Sequence, residues 1–361
     1  MRPRKPYRST RIVPALAGTM LWLGILCGAQ AEAAEIGFNR VNLGWKQPAE
    51  RKTIIDAMKR SGVASVRLSL SAPIGQSIDA VRMANAAGLR VLLEISLNNR
   101  AFYPDGTKRR SAKGRSFDVY RLSDLDPERY RKVIRDTLAK LDKAGVKLVG
   151  VEPGNEINWA GYNGDLAVGA DAKSDPAKVA DGLARYVEIV RVTREELQKT
   201  KFNRDAKLIS AGLSDMPVPF SRRVGLEIVP APEWTSRMQA QGLDQWVDAY
   251  GIHVYPGSTG STESRDGLVR EALSFCGTAA AGKPCWITEW GVANTSPRCP
   301  IDDDTRAAQV DQVRSIIDAD IEAGKVGAAY YFDWDSGTPY SVWRCGGLSA
   351  AGRAAVRPVA P

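Results

Sequence analysis

Two glutamates stand at the ends of short apolar segments, and each has a tryptophan close by. Glu156 follows the segment 148–152 in the sequence EPGNEINW, and Glu289 ends the segment 285–289 in the sequence CWITEWG. Paired carboxylates can cleave an acetal, because one protonates the departing oxygen while the other attacks or stabilises the oxocarbenium-like carbon. Surface glutamates that cap helices or form salt bridges are the alternative. The position of both at predicted strand ends favours catalysis.

The two glutamates need a scaffold that brings distant parts of the sequence to one pocket. Short β-branched apolar segments alternate with stretches of helical period, which predicts βα units around a parallel sheet. The predicted strands are residues 36–43, 64–69, 90–95, 148–152, 207–211, 249–254, 285–289 and 327–332. The predicted helices are residues 49–61, 74–87, 127–144, 176–199, 265–275, 303–323 and 350–356, and the stretch 214–241 has no clear pattern. Eight strands without an internal linker favour a single (β/α)8 TIM barrel of the α/β class over an open doubly wound sheet.

Residues 1–33 have the pattern of a secretory signal peptide. Residues 1–11 are basic, residues 12–27 are apolar, and small residues precede a predicted cleavage after Ala33. An uncleaved anchor is the alternative, but the apolar run falls short of the roughly 20 residues of a bilayer span, and Pro14 interrupts it. We therefore expect a secreted or periplasmic protein whose catalytic domain is residues 34–361, with no stable membrane insertion after cleavage.

The net charge does not indicate a nucleic-acid partner. The 361-residue chain has a formal charge of +9, but removal of residues 1–33 takes away five basic residues and one acidic residue, which leaves +5. The sequence has no basic stripe studded with aromatic residues and no zinc-finger spacing. With 44% hydrophobic and 25% charged residues the composition is that of an ordinary globular protein, which we expect to be a monomer.

Four cysteines remain once the signal peptide is removed. They are Cys276, Cys285, Cys299 and Cys345. An even number in an exported chain indicates two disulfides, with four free thiols as the alternative. Of the three possible pairings we predict Cys276–Cys285 and Cys299–Cys345, the second of which joins the loops after the seventh and eighth strands. Because no Cys-x-x-Cys pair exists and His253 is the only histidine, we expect neither a metal nor an organic cofactor.

At successive strand ends the chain resembles the retaining β-glycosidases of glycoside hydrolase clan A. Asn155-Glu156 resembles the Asn-Glu pair that the clan has after strand four, which implies that Glu156 is the acid/base. The sequence TEWG around Glu289 resembles the nucleophile motif of strand seven, which implies that Glu289 is the nucleophile. The resemblance also implies a (β/α)8 barrel and hydrolysis with net retention.

Within the clan, the pattern is most similar to family 5, the cellulase-like branch. His253-Val254-Tyr255 after strand six resembles the His-x-Tyr pattern of that family. Arg67 on strand two and Trp334 at the end of strand eight stand where family 5 has an arginine and a tryptophan. The chain departs from the family after strand three, where it has no histidine.

The chemistry of these side chains fits a glycosidase site even without the family name. A guanidinium beside a carboxylate lowers the pKa of that carboxylate, so Arg67 is expected to hold Glu289 ionised, with Tyr255 donating to the same group. His253 and Asn155 can hydrogen-bond to sugar hydroxyls, including the 2-hydroxyl contact that strengthens in the transition state. For Arg67, a structural ion pair is the alternative.

Further residues are expected to bind sugar rings. Trp334 would form an apolar floor under a pyranose, Trp159 a stacking surface beside the acid/base, and Trp290 a contact beside the nucleophile. Core packing is the alternative for Trp334 and Trp159. Asn98, or its neighbour Asn99, is expected to take the place of the missing histidine after strand three.

The segment 99–122 is too long for a simple βα connection and is rich in basic residues. The basic residues of this segment include Lys108, Arg109 and Arg110. These three residues either line the cleft and attract an anionic glycan or belong to a solvated loop.

Together these features predict an exported retaining glycoside hydrolase that cleaves β-linked glycans, with endo action on a poly- or oligosaccharide. An exo-β-glycosidase or transglycosylase on the same fold is one alternative. A catalytically silent, glycan-binding protein of the envelope is the other. The sequence leaves the sugar and its linkage open.

Overall fold

The described part of the chain folds around eight parallel strands. The computed structural model describes residues 34–111, 118–169, 172–257, 259–277, 282–294 and 303–359. The strands are β1 (Glu35–Asn39), β2 (Ser65–Leu70), β3 (Arg90–Ile95), β4 (Leu148–Pro153), β5 (Lys207–Leu208), β6 (Tyr250–Val254), β7 (Cys285–Trp290) and β8 (Val326–Tyr331). They lie side by side in the order β5-β4-β3-β2-β1-β8-β7-β6.

The two outer strands of that order, β5 and β6, approach each other and close the barrel. Parallel bridges join Ile209 to Ala249 and Leu213 to Ile252. Ser210 N donates to the carbonyl of Ala249 at 3.1 Å. The fifth strand is thus shorter than its predicted span 207–211, because beyond Leu208 the chain pairs only at single residues. The expected single (β/α)8 TIM barrel is confirmed.

Helices cover the outside of the barrel. They are α1 (Pro48–Arg60), α2 (Ile74–Ala86), α3 (Pro127–Lys143), α4 (Pro176–Gln198), α5 (Val218–Arg223), α6 (Ala231–Ala240), α7 (Thr262–Leu273), α8 (Asp304–Glu322) and α9 (Ala350–Ala355). Proline lies in the first turn of α3 and α4, where its missing N–H costs no hydrogen bond, and Asp126 and Asp175 cap these helices. A short antiparallel ribbon, β9 (Trp343–Arg344) and β10 (Gly347–Leu348), precedes α9.

The interior of the barrel has an apolar layer with a polar layer above it. The apolar layer consists of Leu92, Ile209, Ala249, Trp286, Ala328 and Tyr330. Because alternate residues of a strand face the same side, the interior position that follows Leu92 on β3 is Glu94, nearer the carboxyl end. Glu94 pairs in register with Glu152 of β4. Polar side chains therefore collect at the carboxyl end of the barrel, where barrel enzymes have their active sites.

Cys276 and Cys285 form a disulfide, as the sequence predicts, which joins a residue shortly after the end of α7 to the first residue of β7. The second predicted pair, Cys299–Cys345, includes Cys299, which lies outside the described residues and so stays a prediction. The predicted signal peptide, residues 1–33, also lies outside them. Within the described ranges, no helix is both long and apolar enough to cross a bilayer.

Candidate active site

Arg67, on β2, is the centre of the polar layer. Its side chain is fully buried and donates to Glu152 at 2.6 Å and to Glu289 at 2.7 Å. It also donates to Asn39 at 3.0 Å and to Asn155 at 2.9 Å. Burial by itself lowers the pKa of Arg67, but the carboxylates of Glu152 and Glu289 raise it above its ordinary value. One guanidinium thus connects β1, β2, β7 and the end of β4.

Glu289 is held as a carboxylate. Its Oε1 accepts from Arg67, and its Oε2 accepts from the hydroxyl of Tyr255 at 2.6 Å. Burial alone raises the pKa of Glu289, but the nearby charges of His253 and Arg67 and these hydrogen bonds lower it below its usual value. The group is therefore ionised at neutral pH and suited to act as a nucleophile.

Glu156 lies on a sharp turn after β4. The backbone of Gly154 has φ 95° and that of Glu156 has φ 46°, which is uncommon for a residue with a side chain. The N–H of Glu156 donates to the carbonyl of Gly212 at 2.8 Å, which ties this turn to the segment after β5. A non-glycine residue in this conformation costs of order 1–3 kcal/mol and persists where its surroundings hold it. The turn leaves the Glu156 side chain 12% exposed.

His253, at the carboxyl end of β6, lies between the two glutamates. Its Nδ1 is 3.0 Å from Oε1 of Glu156 and 3.7 Å from Oε2 of Glu289. Burial lowers the pKa of His253, and the two carboxylates more than offset this and raise it. A Cβ atom at Gly212 would collide with Nε2 of His253 and with Oγ1 of Thr288, so only glycine fits against the ring.

The two contacts of His253 Nδ1 limit the distance between Glu156 and Glu289. The nearer oxygens of Glu156 and Glu289 are separated by at most the sum of their distances to Nδ1 of His253. Retaining glycosidases hold their carboxyl groups about 5–5.5 Å apart, whereas inverting enzymes need roughly 6.5–9.5 Å to admit a water. This upper bound admits the retaining separation, and the site pairs a fixed carboxylate with a more exposed one.

An aromatic wall borders Glu289. The ring of Tyr255 packs edge-on against Phe332 at 6.2 Å and Tyr340 at 5.2 Å between ring centroids. All three rings are partly exposed. Phe332, directly after β8, is thus the open aromatic side chain at this strand end, and sequence reasoning missed it because it weighed only the tryptophan two positions later.

The three predicted tryptophans lie in the core, which corrects the expectation that they offer ring faces to a sugar. Trp334 is 1% exposed and stacks on Trp343 with ring centroids 5.1 Å apart. Trp290 is fully buried because it follows Glu289 directly and therefore faces the outer side of β7. Trp159 is 5% exposed and packs within its own loop against Tyr162.

The two asparagines after β3 stabilise the loop that follows. Asn98 is partly exposed and donates from Nδ2 to the carbonyl of Asp118 at 2.9 Å. Asn99 is buried, and its Oδ1 accepts from the N–H of Ala101 at 3.0 Å. Asn155 is brought into the site itself, because Arg67 fixes its Oδ1 and leaves its amide N–H groups for a ligand.

Three further acids surround the predicted pair. Glu152 is fully buried and accepts from Arg67, from the N–H of Gly212 at 2.9 Å and from Thr288 at 2.8 Å. Glu94 is 3% exposed, one of its oxygens has no hydrogen-bond partner among the described residues, and burial raises its pKa to about 7. The third is Asp215. The signal for Glu94 in the sequence was an acid inside the apolar run 91–95.

Comparison with known proteins bears on the fold. No protein-family model matches the chain, and no curated protein matches it. Among solved structures, an exo-β-1,4-mannosidase from Opitutaceae bacterium strain TAV5 is 18% identical with a TM-score of 0.58, over 91% of this chain and 59% of its own. Fungal β-1,4-galactanase is 14% identical with a TM-score of 0.55, over 90% and 94%. A family 5 xyloglucanase from Paenibacillus pabuli is 14% identical with a TM-score of 0.52, over 90% and 98%.

These similarities show that the chain shares the barrel fold of these three proteins. At such low identity they bear on the fold alone, and the three proteins differ in substrate. The reaction has to be argued from the side chains of the site.

Proposed function

We propose that this protein is a retaining glycoside hydrolase that acts on β-linked glycans. The observation that carries the proposal is the placement of two carboxylates, Glu156 and Glu289, around one nitrogen of His253. Arg67 and Tyr255 both donate to Glu289. A fixed anion beside a second, more exposed carboxyl group is what double displacement requires.

In the first step, a lone pair of Glu289 attacks the anomeric carbon while the bond to the leaving oxygen breaks. Glu156 gives its proton to that oxygen, so that the leaving sugar departs as an alcohol. The product is a glycosyl ester on Glu289. Arg67 and Tyr255 favour this step because they hold the attacking carboxylate ionised and oriented.

In the second step, Glu156 removes a proton from water, and the oxygen of that water attacks the same carbon. The ester bond breaks and Glu289 leaves as a carboxylate, so two inversions give net retention. His253 orients Glu156 throughout, because their contact at 3.0 Å does not depend on the substrate. Asn155, positioned by Arg67, can donate to a sugar hydroxyl through its amide N–H groups, which no described residue accepts from.

Trapping of the glycosyl-enzyme tests this proposal directly. The reagents are 2,4-dinitrophenyl 2-deoxy-2-fluoro-β-glycosides of glucose, mannose and galactose, in which fluorine slows both steps and the good leaving group keeps the first step faster than the second. We expect one of them to inactivate the protein with a single added sugar, and peptide mass spectrometry to locate that sugar on Glu289. Absence of any adduct with all reagents, or an adduct on another residue, would contradict the mechanism.

We propose endo action on a poly- or oligosaccharide, and Trp45 supports it. Trp45 lies in the loop after β1, on the same face of the barrel as the site, and is 56% exposed. Its indole N–H donates to Ser71 Oγ and to the carbonyl of Ala72, each at 3.0 Å. A fixed, open ring at the rim suits a glycan longer than one unit. Product analysis on β-glucans, mannans, galactans and xylans separates mid-chain cleavage from release of single sugars.

An anionic glycan is the substrate that the basic loop favours. Arg109 is exposed, and its guanidinium lies over the ring of Tyr120 at 4.9 Å, with Tyr103 stacked beneath at 4.1 Å. Among the described residues, its guanidinium donates to the carbonyl of Asn98 at 3.4 Å. Arg110, by contrast, donates to three carbonyls of residues 160–164, which makes it structural.

Salt dependence tests this choice of substrate. We expect kcat/KM on an acidic polysaccharide to fall with added salt in the wild type and the dependence to weaken in Arg109→Gln, because exposed charges are screened. Arg82→Gln, an exposed arginine of α2, is the matched control from outside the loop, and its salt dependence should be that of the wild type. An unchanged salt dependence in Arg109→Gln would exclude a role of Arg109 in binding acidic sugars.

We also propose that the protein is exported and monomeric. The predicted signal peptide and the Cys276–Cys285 disulfide both support an oxidising compartment. N-terminal sequencing of the exported protein should begin at residue 34, and light scattering of that material should give the mass of one chain. A retained N-terminus or a stable dimer would contradict these two statements.

A further inference from the structure

Asp215 is a carboxylate of the cleft that the proposed mechanism does not use. It lies between β5 and α5, and its side chain is partly exposed. Its Oδ2 accepts a hydrogen bond from the backbone N–H of Tyr255 at 2.7 Å. The side chain of the same tyrosine donates to Glu289, so Asp215 borders the reacting centre without contacting the nucleophile.

The strand order and the backbone hydrogen bonds place Asp215 beside the acid/base. Asp215 follows β5, the neighbour of β4 in the barrel, and Glu156 follows β4. The N–H of Glu156 donates to the carbonyl of Gly212, in the same loop as Asp215, at 2.8 Å. Burial raises the pKa of Asp215 to about 6, and the nearby charge of Glu156 adds to this rise. Asp215 thus lies nearer to the strand of the acid/base than to β7, which carries Glu289.

The loop that carries Asp215 is fixed before any substrate binds. Asn158, two residues after the acid/base, is fully buried and exchanges two hydrogen bonds of 2.9 Å with the backbone of Ser214. The N–H of His253 donates to the carbonyl of Leu213 at 2.8 Å. The position of Asp215 relative to Glu156 is thus set from both neighbouring strands, which reduces the entropy cost of binding a ligand there.

An aromatic ring, that of Tyr340, lies in the same part of the cleft as the carboxylate of Asp215. Tyr340 is partly exposed, and its ring packs against that of Tyr255, whose backbone N–H donates to Asp215. A carboxylate can accept about four hydrogen bonds, and the N–H of Tyr255 uses one of these positions in Asp215. An acceptor next to an open aromatic ring is a combination that binds sugar hydroxyls and the apolar face of a pyranose together.

We propose that Asp215 binds the sugar on the leaving-group side of the scissile bond by accepting a hydrogen bond from one of its hydroxyls. This rests on the proposed function, in which Glu156 protonates the leaving oxygen. Because Glu156 faces that oxygen, a carboxylate in the loop that is hydrogen-bonded to the backbone of Glu156 is placed to meet the departing sugar. Asp215 is then a specificity-determining residue that contacts a sugar leaving group and has nothing to contact when the leaving group is a phenol.

Paired substrates test this assignment. Cellotriose and 2,4-dinitrophenyl β-cellobioside share the glycosyl part but differ in the leaving group, and the mannose and galactose counterparts serve if the wild type prefers them. In Asp215→Asn the amide oxygen can still accept from Tyr255 N–H, so we expect the fold to be kept. We expect kcat/KM to fall at least tenfold on the trisaccharide and to stay within threefold on the aryl glycoside. Asp105→Asn, an exposed aspartate paired with Arg129, is the matched control.

Transglycosylation, the transfer of the glycosyl group to an added sugar, provides a second test of the role of Asp215. When cellobiose attacks the glycosyl-enzyme, its hydroxyl oxygen bonds to the anomeric carbon, the ester to Glu289 breaks and the proton passes to Glu156. The acceptor occupies the leaving-group side, so we expect Asp215→Asn and Asp215→Glu to lower the ratio of transfer to hydrolysis.

Three outcomes would overturn the inference. An equal loss on both substrates would show that Asp215 acts through Glu156 or Tyr255, and unchanged activity on the trisaccharide would show that it binds no leaving sugar. A wild type that cleaves neither substrate in any sugar series would overturn the proposed function and the inference with it, whereas a wild type that cleaves the aryl glycosides keeps the two questions separate.

Discussion

Arg67 donates from Nη1 to Oε1 of Glu289 at 2.7 Å, in a pair that is almost completely removed from solvent. The two residues belong to β2 and β7, which are separated in the barrel by β1 and β8. The contact therefore spans the barrel interior instead of joining neighbouring strands. A buried ion pair of this kind is costly to break, because the remaining charge is left without a partner.

The first prediction follows from this pair. In Arg67→Lys, a single ammonium group cannot replace four hydrogen bonds, so we expect kcat/KM to fall at least 100-fold. Because Arg67 lowers the pKa of Glu289, its replacement raises that pKa and moves the acidic limb of the pH–activity profile to higher pH. The profile of Arg90→Lys, an exposed arginine paired with Glu35, should stay unchanged. An unshifted acidic limb in Arg67→Lys would contradict this role.

The strand pattern of the sequence was sufficient to predict the barrel and the place of both glutamates. Period and composition locate a strand end, and the barrel brings all strand ends to one face. Ring orientation was harder to predict. Trp290 is next to Glu289 in sequence yet faces the opposite side of β7, and Trp334 lies past the point where β8 ends and packs on Trp343.

Long-range contacts explain what the sequence did not reveal. Asp215 stands in a stretch without a clear pattern, and its position depends on the bonds between Asn158 and Ser214, which are 56 residues apart. Glu94 was visible as an acid in an apolar strand, but its surroundings depend on the register of β3 against β2 and β4. Local periodicity contains no information about such pairings.

Glu94 gives a prediction about stability. Its pKa is raised from 4.5 to about 7 by burial, with Glu152 and Glu289 adding to the effect and Arg67 and Ser69 opposing it. A group whose pKa is higher in the folded state stabilises the fold at low pH, and this contribution is lost as the pH rises from about 4.5 through 7. We expect the wild type to lose about 3 kcal/mol of unfolding free energy over this window relative to Glu94→Gln. Urea unfolding at pH 4.5 and pH 8 measures both proteins, and parallel pH dependence would exclude this origin.

Gly212 gives a prediction about the shape of the site. In Gly212→Ala the added methyl group meets Nε2 of His253 and Oγ1 of Thr288, so the imidazole must shift from its position between Glu156 and Glu289. We expect a loss of at least 100-fold in kcat/KM, together with a lower melting temperature, because overpacking costs about 1–3 kcal/mol. Gly267→Ala in α7 is the control, since nothing lies near its added Cβ and alanine favours a helix. Activity of Gly212→Ala near the wild-type rate would show that His253 needs no fixed position.

The two glutamates differ in their expected response to the same substitution. Glu289→Gln removes the nucleophile, so activity should fall by several orders of magnitude on every substrate while the melting temperature changes little. Glu156→Gln removes the proton donor, which matters only when the leaving oxygen is basic. With a 2,4-dinitrophenyl β-glycoside, the first step of Glu156→Gln should proceed, and the glycosyl-enzyme should accumulate because no base activates water.

Azide distinguishes the two roles. It needs no general base, so it should release the sugar from Glu156→Gln as the β-glycosyl azide and restore turnover, because attack on the ester to Glu289 inverts the carbon a second time. Glu289→Gln forms no such ester and should give no β-azide. Product identification by NMR decides the assignment. Rescue of Glu289→Gln by azide with an α-azide as product would identify Glu289 as the nucleophile as well, since direct attack on the β-glycoside inverts the carbon only once. A β-azide from Glu289→Gln would instead show that the roles of the two residues are reversed.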